Sequence, residues 1–129
     1  MYKFDALWET HEFVITRLTE NESKYNQLLS LLPTYVKKYE DGELKKQALV
    51  DLIEESKKIC KALDSLYRKH LFTIKEIKLF IKENEVPEDK YVIVEALPDL
   101  IQTTEELMTT VQASKEILEF IEDQKIHGD

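Results

Sequence analysis

The chain has 129 residues, 34% charged and 43% hydrophobic, with two glycines, three prolines, one cysteine and a formal net charge of −8. That composition excludes a disordered chain and an internal disulfide, and its abundance of straight-chain residues points to long helices. The length suits one core, so a single domain over 1–129 is expected.

The first predicted helix covers about residues 3–40. Its apolar residues return at sevens in three adjacent rows: Phe4, Leu18, Tyr25 and Leu32, with His11 in the same row; Leu7, Val14, Leu28 and Tyr35; Trp8, Ile15, Leu29 and Val36. The opening MYKFDALWETHEF carries acids and lacks the apolar stretch and small-residue cleavage site of a secretory leader. Pro33 falls inside the pattern, where a kink is expected. Asp41-Gly42 then marks a turn.

A second helix is predicted over about 43–84, with rows Leu49, Leu63 and Ile77; Leu52, Ile59, Leu66 and Phe80; Ile53, Cys60, Tyr67, Ile74 and Ile81. Lys61, Arg68, Lys75 and Lys82 recur at sevens on the opposite side, the position of a solvated basic stripe. The run ENEVPEDK closes this helix and opens a third, over about 87–125, with Pro87 near a first-turn position and Glu88 and Asp89 favouring a helix N-terminus. Its rows are Leu97, Val111 and Leu118; Leu100, Leu107 and Ile121; Val94, Ile101 and Met108. A second kink is expected near Pro98.

Three apolar rows per helix are the stripe of a helix packed against two neighbours; a two-stranded coiled coil shows two. Short connections near 42 and 86 make consecutive helices antiparallel. The fold class read from the sequence is therefore all-α, an up-down-up antiparallel bundle of three long helices. A four-helix variant arises if Pro33 lets residues 34–41 fold back.

Charge is distributed unevenly. Residues 1–42 hold seven acids and five bases, 43–84 seven acids and ten bases, and 85–129 twelve acids and three bases. Packing the acidic third segment beside the basic second one counts against direct nucleic-acid binding. No apolar run approaches a membrane span, and cytoplasmic residence is the expectation.

Counting outward from the turns places His11, His70, Thr73 and Thr104 at one level on the inward seam. Such a polar layer specifies register, because a slipped packing would leave its groups unpaired. It also offers titratable histidines for a pH switch, or ligands for a metal or haem with Glu9 or Glu12 nearby. The Glu-x-x-His spacing of di-iron bundles is absent. No cofactor and no metal is expected.

Six apolar residues lie off the rows: Phe13, Leu71, Phe72, Leu79, Tyr91 and Val92. The counting gathers them in the half of the bundle nearest the second turn, as a surface for another protein, a second copy of the chain included. With only Gly42 and Gly128 there is no phosphate-binding loop, and there is no paired-cysteine zinc spacing or HExxH. Cys60 falls on the seam of a helix, a poor place for a nucleophile. The sequence therefore leads to a non-enzymatic interaction module, an adaptor, chaperone-like factor or regulator. The alternative is an acidic inhibitor, of the immunity or nucleic-acid-mimic kind, that blocks a basic site with the carboxylates of the third helix.

Overall fold

Few residues in this chain interrupt a helix, and its helices are correspondingly long. The computed structural model describes residues 2–84 and 88–127. It contains α1 (Tyr2–Glu40), α2 (Lys46–Glu83) and α3 (Tyr91–Ile121), with a short 3-10 turn at Glu88–Lys90 before α3 and a π turn at Glu122–Ile126 after it. Among the described residues there is no strand. The all-α bundle of three long helices expected from the heptad rows is the fold observed.

The first connection is tight for a stated reason. Gly42 adopts φ 77°, a left-handed conformation that costs glycine little and other residues more. Around it the Gly42 amide donates to the Tyr39 carbonyl and the Glu43 amide to the Lys38 carbonyl, at 3.1 and 2.8 Å. This pair of bonds is a Schellman motif, which satisfies the last carbonyls of α1 and turns the chain back. The four-helix variant is not found, because α1 stays helical through Pro33 to Glu40. Pro33 and Pro98 are both exposed, so the carbonyl that each deprives of a donor lies on the watery side of its helix. Pro87 and its expected first-turn role fall outside the described residues.

The α2 backbone runs close to both α1 and α3, and among the described residues no comparable approach joins α1 to α3. Side chains span that wider gap: Tyr25 Oη and Ser114 Oγ are 2.5 Å apart. At the same end of the bundle Lys57 of α2 bonds Glu122 at 3.2 Å, and Lys125 of the π turn pairs with Glu40 of α1. Ile126, carried inward by the π turn, joins the core.

The core has two parts. The larger includes Val14, Leu18, Leu49, Ile53, Cys60, Leu63, Val111 and Leu118. The smaller, toward the second turn, is Phe4, Ile74, Ile77 and Leu97, flanked by Leu7, Trp8 and Phe80. Burying side chains of this size contributes roughly 1.5–3 kcal/mol each before entropy is counted. What stands at the level between the two parts is polar.

Candidate functional site

The heptad itself puts histidines in the middle of this core. His11 sits one heptad after Phe4 and before Leu18, and His70 one heptad after Leu63 and before Ile77, so both occupy seam positions that their apolar neighbours bury. Their rings stack at 5.1 Å between centroids with 16° between planes. Trp8 leans over His11 at 4.8 Å, and Phe4 continues the column to Trp8 and to Phe80. Trp8 Nε1 also donates to Glu12 Oε1 at 2.5 Å.

Thr73 and Thr104 are buried at the same layer, but each hydroxyl turns back to its own helix, to the carbonyls of Lys69 and Leu100. They do not pair with the histidines. The Nδ1 atoms of His11 and His70 are buried with no hydrogen-bond partner. Burial pushes the His70 pKa down to about 4, with the neighbouring His11 adding to the effect. Burial also lowers that of His11, opposed in part by Glu12. Both rings are therefore neutral at pH 7.

A cavity of about 150 Å³ opens beside His70 in the gap between α1 and α3, with Thr19, Glu22, Tyr67 and Thr104 among its walls. The Tyr67 phenol, buried and next to Glu22, is held well above its ordinary pKa. Among the described residues no group of three His, Cys, Asp or Glu side chains is placed to hold a metal ion. Glu9 and Glu12 are exposed on α1. Cys60 is buried, and burial raises its thiol pKa with Lys115 opposing in part, which suppresses the nucleophilic thiolate.

The six off-row apolar residues do not all line one groove. Phe13 of α1 and Phe72 of α2 are 64% and 66% exposed and line the same groove between those helices, about 490 Å³ in volume. Leu7, Val14 and Leu66 also line it, and Thr10, Arg17, Lys69, Thr73 and Glu76 complete its walls. The Arg17 guanidinium lies 5.9 Å above the Phe13 ring, within cation–π range. Leu79, also exposed, lines an adjoining recess that shares Leu7 and Glu76 with the groove.

Leu71 departs from the expected exposed surface. It is half-buried and does not line the groove, because one residue along a helix is a 100° rotation and Phe72 already points that way. Tyr91 and Val92 are exposed on the first turn of α3 and line neither groove nor recess.

Four further large apolar residues among those described are exposed: Ile15, which the heptad rows turn inward but which lies at the outer edge of its stripe, and Leu31, Ile117 and Phe120, which lie off the rows. Ile117 and Phe120 project from α3 among Glu116, Glu119 and Asp123. The same off-row test that picks out Phe13 would have found them. The basic stripe of α2 is exposed along its length, and Arg68 bonds Asp64 on its own helix at 2.9 Å. No family model matches the chain, and no curated protein or solved structure is significantly similar to it.

Proposed function

We propose that the protein is a non-enzymatic interaction module whose docking surface is the α1/α2 groove flanked by Phe13 and Phe72. The observation that carries this reading is two phenylalanines, each about two-thirds exposed, standing at either side of one apolar trough. Large apolar side chains left in water at a concave place are where docking releases most free energy, since a helix laid between them buries both rings and Leu66 together. The residues that would have to act in an enzyme count against catalysis. Cys60 is sealed in the core, and His11 and His70 lie stacked within the bundle.

A second reading rests on a different face. Glu116, Glu119 and Asp123 flank Ile117 and Phe120 on α3, and among the described residues none of these three carboxylates has an ion-pair partner. Such a face suits an inhibitor of a basic site. Affinity capture with the intact protein, at low and at high salt, separates the two. The groove reading expects a partner that survives high salt and is lost when Phe13→Lys and Phe72→Lys are combined. A partner indifferent to those changes, lost in salt and lost with Glu116→Gln and Glu119→Gln, assigns the function to α3 instead.

A further inference from the structure

Resting on the groove reading, we infer that the occupant of the groove is a second copy of this chain. The charges along the groove are segregated. Glu76 and Glu83 lie at the end toward the second turn, and Arg17 and Lys69 lie at the other, with Phe13 and Phe72 between. That is the pattern of a self-complementary face.

A twofold axis relating two copies across this face must lie in the plane between them. Set parallel to the helices, it brings acid end to acid end. Set across the helices at the level of Phe72, it brings acid end to basic end, and α2 then faces α2 of the other copy antiparallel. Glu76 lies four residues beyond Phe72 and Lys69 three before it, about 6 and about 4.5 Å along the axis, so each Glu76 faces Lys69 of the second copy. In the same register Glu83 stands opposite the exposed Lys61. Every neighbouring pair in the resulting four-helix arrangement is antiparallel. In this register the face runs from Lys61 to Glu83, about 33 Å long and two helices, about 20 Å, wide. Two such faces bury about 1,300 Å² together, little above the roughly 1,000 Å² a specific interface needs, so the dimer is a reversible one.

Sedimentation equilibrium of the intact chain tests this. The wild type is expected to dimerise reversibly, and the Phe13→Lys and Phe72→Lys pair to be monomeric with an unchanged circular dichroism spectrum. Glu76→Lys alone and Lys69→Glu alone should each raise the dissociation constant about tenfold or more through like-charge facing. An equimolar mixture of those two variants should recover the wild-type value, because every facing pair again has opposite charges. A mixture no tighter than either variant, or a dimer that ignores the phenylalanine changes, overturns the proposal. So does a wild type that stays monomeric at hundreds of micromolar. In that case the phenylalanine pair is carried into the capture experiment: loss of the captured partner keeps the groove as a docking surface for another protein, and retention removes both readings.

Discussion

The buried histidine pair makes the stability of this bundle depend on pH in a direction that can be worked out. His70 has a folded pKa of about 4 against an ordinary 6.5, and His11 is shifted the same way. The unfolded chain therefore binds more protons than the folded one between these values. Stability is full above the unfolded pKa and is lost as pH falls toward the folded one. For His70 alone the loss between pH 7 and pH 5 is about 2 kcal/mol, with His11 adding in the same sense. Urea unfolding followed by circular dichroism should show a midpoint lower at pH 5 than at pH 7 by about 1 M. In the double variant His11→Leu with His70→Leu that difference should shrink by most of this amount, since every other titrating group is common to both proteins. At pH 7 the double variant should be as stable as the wild type or more so, because both unpartnered nitrogens are gone. Parallel pH dependences in the two proteins would show that the histidines are not desolvated as described.

Three further outcomes follow from single positions. Ser56 is 0% exposed and its hydroxyl has no partner, so Ser56→Ala should be neutral or stabilise by about 1 kcal/mol in the same urea assay. Leu63, fully enclosed in the larger core, should cost about 3 kcal/mol as Leu63→Ala. Gly42→Ala meets no atom within 4 Å at its new Cβ, so its cost of about 1 kcal/mol comes from the left-handed backbone alone and should appear in thermal unfolding without a change in spectrum.

The parts of this molecule that obey one period were legible in its sequence. Leu49, Leu63 and Ile77 share a heptad row with Ser56 and His70, and all five are buried. The row thus located polar and apolar core residues alike, because spacing and not residue type decides which side of a long helix faces inward. The levels of His11 and His70 could be counted from the turns because antiparallel helices rise equally per residue.

What was illegible depends on geometry beyond the period. Leu71 and Phe72 are neighbours in sequence, yet only Phe72 lines the α1/α2 groove, and Leu71, turned away from it, is the more buried of the two. The threonines were on the right level, but their hydroxyls bond their own helices. The π turn that carries Ile126 inward changes the period locally, which no heptad count anticipates. The segregation of Glu76 and Glu83 from Arg17 and Lys69 emerges only when two helices are laid side by side.

Hydroxyl-radical footprinting of the intact protein in dilute solution and in its bound state, whether with itself or with a captured protein, reads individual aromatic side chains and so tests the docking face most directly. Protection of Phe13 and Phe72 on binding, with Phe120 still reactive, is the outcome that the α1/α2 groove predicts. Unchanged reactivity at Phe13 and Phe72 alongside protection of Phe120 would contradict it.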